Sequence, residues 1–465
     1  MDKIRLGIPA YDESKLDVMT SNSDIVSIMN LISEPLVRQY DGKIWPALAN
    51  IWQVFEKGRR WLFYIPPGTM FSDSTPCTMI DVMETIENVK KTNTEHGILS
   101  RYGDYLKNFN FSILNRYALQ VTCEQPSGDL GEILSSISIL KANRNGKRVI
   151  GTGNYKYSTY YADRSVRLNK LSNIKHLSAY EQITFFIIPD SGKRLEALHN
   201  GEIHFAADLD DFPENKDDPA IEYWTCKTNQ SVMCLLNGFN SPFKQPNARR
   251  AINLAVDVDR IIREVLGGYA FPATSIVSPY HCGYSSLQDP IPYDPVLARK
   301  LFAQAEIDRE LVISAVKGKP KHAFMIADMI ADMLNDVGVK VRVDKYEDIS
   351  EYYQRLFNRE LGDIMLAQTA NSSTFRILFD AISSRTAGPY WQGIEDKPLD
   401  DMIEEANREC DITDRERKYG RVITYLNKNP HWLYLYHPLT KYARRADIKD
   451  VESLHTGALR FPGAW

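Results

Sequence analysis

Apolar positions along the chain recur with two periods, and the alternation between them sets the fold class. Val82, Ile86 and Val89 fall on one helical face behind Thr78-Met79-Ile80-Asp81, a capping threonine with an acid three residues on. Ala251, Ala255, Val258, Ile262 and Val265 form a second stripe, stopped by Gly267-Gly268. Asp294-Pro295 predicts a third helix start, with an N-cap acid and a proline where no backbone donor is needed; Leu297, Leu301 and Ala305 supply its apolar side. Phe324, Met329, Met333 and Val337 mark a fourth helix ending at Gly338, and strict alternation over 339–343 predicts a strand directly after it. A further strand is predicted over 183–188, followed by a helix carrying Leu195 and Leu198 and closed by Gly201. Strands alternating with helices predict α/β layers.

Composition narrows the class without naming a function. At 465 residues, 43% hydrophobic and 25% charged, the chain suits two to four globular units of about 100–200 residues each. Its net charge of -4 and the small size of its basic cluster, Arg444-Arg445, argue against a nucleic-acid partner. No run of 18 apolar residues occurs. The opening Met1-Asp2-Lys3-Ile4-Arg5 lacks the apolar core of a secretory signal. Two expectations follow: a cytoplasmic protein, or a trimmed mature form to which Met1 was added. The cysteines Cys77, Cys123, Cys226, Cys234, Cys282 and Cys410 form no CxxC pair and read as small buried thiols, with one long-range disulfide left open for an exported chain.

Catalytic signatures are missing. There is no GxSxG, HExxH, GxxxxGK[ST] or dinucleotide glycine fingerprint. His199 and His204 stand five apart with Gly201 between them, which breaks any shared helical face for a metal. The expectation is a protein that is not an enzyme and carries no cofactor or metal.

Five landmarks then occur in a fixed order. They are Glu34-Pro35-Leu36-Val37 with 41–49 (DGKIWPALA), Trp52-Gln53-Val54 through 71–76 (FSDSTP), Gly151-Thr152-Gly153-Asn154-Tyr155, Ile188-Pro189-Asp190 with 197–203 (ALHNGEI), and 247–257 (NARRAINLAVD). In this series the chain resembles solute-binding protein family 5, the periplasmic oligopeptide-, dipeptide- and nickel-binding components of ABC importers. The resemblance implies a type II two-lobed binding fold with an inserted subdomain and a two-stranded hinge. Lobe I would comprise 1–38, 150–236 and 440–465, the inserted subdomain 39–149, and lobe II 237–439. It further implies a monomer in the periplasm that captures a small-molecule solute by lobe closure and delivers it to permease subunits.

Departures from the family pattern bear on the solute. Where peptide-binding members carry an acid for the peptide ammonium, this chain reads Gln368 to Arg376 with no acid, so free-amine peptides are disfavoured. Nickel-binding members use an Arg/His-rich stretch where this chain has 93–98; His96 is kept and an acid stands at the Arg position. Asn371, Ser372 and Ser373 offer neutral hydrogen-bonding groups, Tyr390 and Trp391 aromatic surface beside Gly388-Pro389, and Arg376 a fork for a carboxylate. With Asn22, Ser23 and His437 they complete the candidate ligand-binding set, for an opine-, sugar-, metal-chelate- or peptide-like solute. Each has a plainer reading: His96 in a surface loop, Arg376 on a solvated helix, Tyr390 and Trp391 pinning a loop, His437 structural. The competing function is a cytoplasmic ligand sensor on the same fold, and the chain opens at the first domain strand with no helix-turn-helix ahead of it.

Overall fold

The computed structural model describes residues 2–462 apart from 14–21, 41, 92–102, 104, 143–145, 147, 162–163, 173–179, 214–215, 306, 372 and 389. Among the described residues, twelve strands join in one sheet: β1 (Lys3–Ile8), β2 (Tyr155–Tyr161), β3 (Ser165–Lys170), β4 (Gln182–Ile187), β5 (Phe205–Leu209), β6 (Ile221–Lys227), β7 (Gln230–Leu236), β8 (Ala270–Pro272), β9 (Leu311–Val316), β10 (Val341–Tyr346), β11 (Ile364–Ala370) and β12 (Leu433–Arg445). Their order is β2-β3-β4-β1-β5-β12-β7-β11-β9-β10, with β6 and β8 also paired to β12.

One strand therefore serves both halves. From Leu439 to Arg445, β12 pairs with β5 and β6; from Leu433 to Pro438 it pairs with β7 and β8. Two separate sets of apolar cores follow. Ile4, Leu6, Ile183, Phe185 and Tyr442 belong to the first half, and Val232, Cys234, Ile313, Leu366 and Leu435 to the second. The expectation put 150–236 wholly in lobe I. Instead β7 pairs with β11 along its whole length, from Gln230↔Ala370 to Leu236↔Ile364, and its side chains fill the second-half cores. We accordingly propose that the chain crosses between lobes at 228–230 and again at 437–439.

The region expected as an insertion carries a sheet of its own, an antiparallel one of Ile51–Phe55, Arg60–Tyr64, Ala118–Cys123 and Phe109–Asn115, with the helices Met79–Lys91 and Leu130–Ser135 in the same stretch of chain, and its core is continuous with that of the first half. Its landmark glycines have a steric cause. A Cβ at Gly151 or Gly153 would collide with the backbone of Ile32 and Ser33 at the end of the first helix.

Most helix starts match their sequence signals. Thr78 and Asp81 exchange a capping contact, with the Asp81 carboxylate accepting the Thr78 amide at 2.8 Å; Asp294 caps the helix Pro295–Gln304 through the Leu297 amide. The stripe over 251–265 is two helices, Pro246–Ala255 and Val258–Glu264, because Asp257 leaves helical geometry and caps the second through the Arg260 amide. In Pro295–Gln304 the buried face is Ala298 and Phe302, while Leu297 is exposed. The strand predicted over 339–343 runs from Val341 to Tyr346, after Gly338 closes the helix at φ +91°. Cys77, Cys234 and Cys282 are buried, the other three cysteines are half-buried, and all six are free thiols. No helix among the described residues is long and apolar enough to cross a membrane.

Candidate functional site

The candidate site is the junction of the two halves, approached by the carboxyl ends of strands from both. On the first-half side, β1 ends at Ile8, and the next turn brings the Ala10 amide to Asp24 at 3.2 Å. Asp24 is buried; burial pushes its carboxyl up to about 7, Asp208 adds to the rise, and the Ala10 amide and Arg194 oppose it. Arg194, fully buried, ties the neighbouring strand ends by donating to the carbonyls of Ile188, Pro189, Ala207 and Asp208. Near the end of β5 and just past it, Asp208 and Asp210 reach Lys321 of the second half at 3.1 and 2.8 Å. Burial pulls the Lys321 ammonium down, but the two carboxylates outweigh it and hold its pKa above the ordinary value.

A second set of contacts joins the inserted region to the second half. The Arg415 guanidinium meets the Glu132 carboxylate at 2.9 Å and also donates to the Gly128 carbonyl. The Gly128 amide donates to the Asn407 carbonyl at 2.7 Å. Tyr105 donates to Asp129 at 2.7 Å, accepts from Asn407 at 3.3 Å, and lies against Phe375 with ring centroids 5.9 Å apart. Burial pushes Glu132 up to about 7, against the pull of Arg415 and of the Ser373 hydroxyl. The adjacent guanidinium is the main influence favouring the ionised form against burial.

Between these contacts, at the lobe crossing, stand buried histidines. His437 Nδ1 lies 3.0 Å from Ser231 Oγ and 3.3 Å from the Gln230 carbonyl. The Ser231 hydroxyl proton is committed to the Ile276 carbonyl, so Nδ1 of His437 is the donor. Burial moves His437 down to about 4, leaving a neutral ring whose Nε2 is an acceptor with no partner among the described residues. His281 is likewise held down to about 4 by burial; it accepts the Ser278 amide at Nδ1 and donates from Nε2 to the Asn371 carbonyl at 2.6 Å. Gln368 donates to Gln230 at 2.6 Å beside them.

The residues singled out from sequence divide sharply. Asn371, Ser373, Arg376 and His437 gather at the carboxyl end of β11 and the crossing. Asn371 Oδ1 accepts the Ser373 amide, and Ser373 caps the helix Thr374–Ala381 through the Arg376 amide. Arg376 is not solvated: its side chain is 3% exposed, paired with Asp380 at 2.6 Å and seated over the Tyr105 ring. Asn22 is the N-cap of the helix Ser23–Ile32, accepting the amides of Asp24 and Ile25, and Ser23 follows it. His96, Ser372 and Pro389 lie outside the described residues.

Tyr390 and Trp391 lie elsewhere, in the setting of the loop-pinning reading. The loop after the helix Thr374–Ala381 returns to the Ile364 end of β11. There Gly238, just past β7, donates to the Gln392 carbonyl at 2.6 Å. Trp391 packs edge-on against Phe239, takes Arg359 over its ring and donates to the Ile394 carbonyl at 2.7 Å; Tyr390 packs on Phe357. The six residues of β11 between this pole and Asn371 span about 20 Å. Sequence reading missed Asp24, Glu132, His281, Lys321 and Arg415, whose chemistry comes from long-range pairing that no local motif encodes. Among the described residues no group of three or more His, Cys, Asp or Glu is placed to hold a metal ion.

Comparison with known proteins gives a consistent frame. The family model for the bacterial extracellular solute-binding proteins, family 5 Middle, matches residues 43–388. The glutathione-binding protein GsiB of Salmonella paratyphi A is 26% identical over 283 residues, covering 57% of this chain and 54% of the relative; the chain thus spans about half the length of the curated relatives it matches. Among solved structures, a periplasmic binding protein DppA from Helicobacter pylori in complex with the peptide STSA has a TM-score of 0.80 at 20% identity, covering 99% of this chain and 98% of that one. NikA from Brucella suis in complex with Fe(III)-EDTA has a TM-score of 0.83 at 20% identity, covering 100% and 99%.

Proposed function

The chain belongs to the bacterial extracellular solute-binding proteins of family 5, and from that premise we propose that it is the solute-capturing component of an ABC importer, closing its two lobes over a small polar molecule. The observation that carries this reading is the division of the cores on either side of one shared strand, β12, with polar contacts across the junction at Lys321 and at Arg415. Two crossings permit a hinge, and the cross-lobe contacts form only when the lobes meet. A solute touching both lobes adds to these contacts and shifts the population toward the closed state, which permease subunits would recognise.

The neutral groups near the crossing support a hydrogen-bonded solute, Lys321, Asp208 and Asp210 being paired with one another. His281 and His437 are neutral, Asn371, Gln230 and Gln368 are neutral, and Arg376 is already paired with Asp380. These groups suit a solute recognised by hydrogen bonds. Glu132 and Asp24 are engaged by Arg415 and by the Ala10 amide, so neither substitutes freely for the acid that peptide-binding members offer an ammonium. Glutathione, a tetrapeptide and Fe(III)-EDTA, named with the relatives above, are the first probes, followed by opines and sugars. Mass spectrometry of the solute that co-purifies, with small-angle scattering before and after its removal, tests the proposal. A smaller radius of gyration with solute is expected; an unchanged radius at saturation would refute closure.

A further inference from the structure

Two of the six free cysteines meet where the inserted region touches the second half. Cys123 closes the strand Ala118–Cys123, and Cys410 lies in the short turn between the helices Lys397–Asn407 and Ile412–Lys428. The turn at Gly58 brings them together. The Cys123 amide donates to the Arg59 carbonyl at 3.0 Å, and Cys123 Sγ lies 3.5 Å from the Gly58 carbonyl oxygen and 3.7 Å from that of Arg59. From the other half, Cys410 Sγ lies 3.8 Å from the Lys57 carbonyl oxygen. Gly58 has φ +91°, and a Cβ there would overlap the Cys410 sulfur, so the missing side chain makes the seat for this thiol. The backbone of one residue thus spans the gap between the sulfurs, which are no more than about 9 Å apart.

Both turns are held by their own contacts. The Ser127 amide donates to the Gly58 carbonyl at 3.4 Å, and Asp411 caps its helix through the Asp414 amide at 3.0 Å. The Glu409 carboxylate accepts from Lys418 at 3.3 Å, and a Cβ at Gly128 would collide with the Glu409 carbonyl. Burial pushes the Cys123 thiol up to about 11, with Cys410 the next contributor, and burial also raises Cys410 against the pull of Arg415. Charged thiolates are disfavoured here, whereas a disulfide is neutral and suffers no such dehydration cost. A rotamer change at each cysteine moves its sulfur by up to about 3 Å, so side-chain rotation with a small turn adjustment closes the gap.

We propose that Cys123 and Cys410 form a reversible disulfide that links the inserted region to the second half. The oxidant is an external disulfide such as oxidised glutathione. One cysteine sulfur attacks it, giving a mixed disulfide, and the displaced thiol leaves with the cysteine's proton. The second cysteine then attacks the protein sulfur of that mixed disulfide, the Sγ–Sγ bond forms, and the second external thiol leaves with the remaining proton. Two cysteine thiols are oxidised and one external disulfide is reduced to two thiols. The bond ties the same two parts of the molecule as the Arg415–Glu132 pair. Its consequence rests on the lobe-closure reading: the linked protein stays closed whether or not solute is present.

The test incubates the full chain in mixtures of oxidised and reduced glutathione, blocks free thiols by alkylation and digests without reduction. Mass spectrometry is expected to find a peptide linked through Cys123 and Cys410, lost on reduction and absent from Cys123→Ser and Cys410→Ser, which should melt as the reduced wild type does. Glutathione adducts on the two cysteines without a link overturn the proposal, as does a bond from Cys410 to Cys282, whose thiol also lies near Arg415. Small-angle scattering on linked and reduced protein, before and after removal of co-purifying solute, reads the consequence. The reduced protein is expected to expand on removal and the linked protein to keep its smaller radius of gyration. Expansion of both overturns the closed link. A reduced protein that never expands counts against lobe closure alone, and the linked peptide still decides the bond.

Discussion

Arg415 and Glu132 form a buried ion pair across the two halves of the molecule, 2.9 Å long, with side chains 7% and 4% exposed. One partner comes from the helix Ile412–Lys428 and the other from the short helix Leu130–Ser135 of the inserted region. Under the proposed closure, opening the lobes would rehydrate both charges, so the pair would act as a latch whose strength is the difference between Coulomb attraction and dehydration. Ser373, Tyr105 and Asn407 lie beside it, which links the pair to the Asn371 end of β11.

Removing one latch partner should be worse than removing both. Arg415→Met leaves Glu132 buried and unpaired and is expected to destabilise the closed form by about 3–5 kcal/mol, whereas Arg415→Met with Glu132→Met should recover most of that loss. Chemical unfolding and small-angle scattering of the single and double variants measure it; equal losses in both would deny the pair its role.

The Lys321 contacts to Asp208 and Asp210 are half-exposed and should matter less. Lys321→Met is expected to shift the open–closed balance by about 1 kcal/mol, or roughly fivefold, toward open, with the wild-type balance moving the same way in added salt. Single-molecule distance measurements between labelled lobes would show the shift, and a variant indistinguishable from wild type at low salt would contradict it.

Asp24 makes stability depend on pH with a defined sign. Its carboxyl sits at about 7 in the folded chain against an ordinary 3.8, so the folded state holds a proton that the unfolded chain gives up. Stability is therefore fully present below about pH 4, falls as pH rises toward 7, and levels off above it, a loss on the order of 4 kcal/mol. Glu132, also raised, adds in the same direction. Asp24→Asn should flatten most of the fall; parallel unfolding curves for wild type and variant between pH 4 and 8 would exclude this account.

Trp391→Ala separates stability from solute affinity. The ring packs on Phe239 and bonds to the Ile394 carbonyl at the pole remote from the junction. A loss of about 3 kcal/mol of stability with unchanged affinity is expected. Weaker binding without loss of stability would return Trp391 to the site.

How much was readable in the chain depends on the range of the interaction. Helix starts at Thr78 and Asp294, the stop at Gly338 and the α/β alternation are local, because a cap or a periodic face needs partners only three or four residues away, and these were legible. Among the ordered landmarks, Gly151 and Gly153 answer a close backbone approach to Ile32 and Ser33. The gathering of Asn371, Ser373 and Arg376 was half legible: adjacency in sequence kept them together, but the burial of Arg376 against Tyr105 and Asp380 depends on a residue some 270 positions away. The position of Trp391 has the same origin, since a contact between Gly238 and Gln392, far apart in sequence, decides which end of β11 the loop reaches. The assignment of β7, the pairing of Arg415 with Glu132 and the approach of Cys410 to Cys123 were set by strand register and lobe contact, which are tertiary quantities. Local chemistry determined the elements; the sheet order determined which charges would meet.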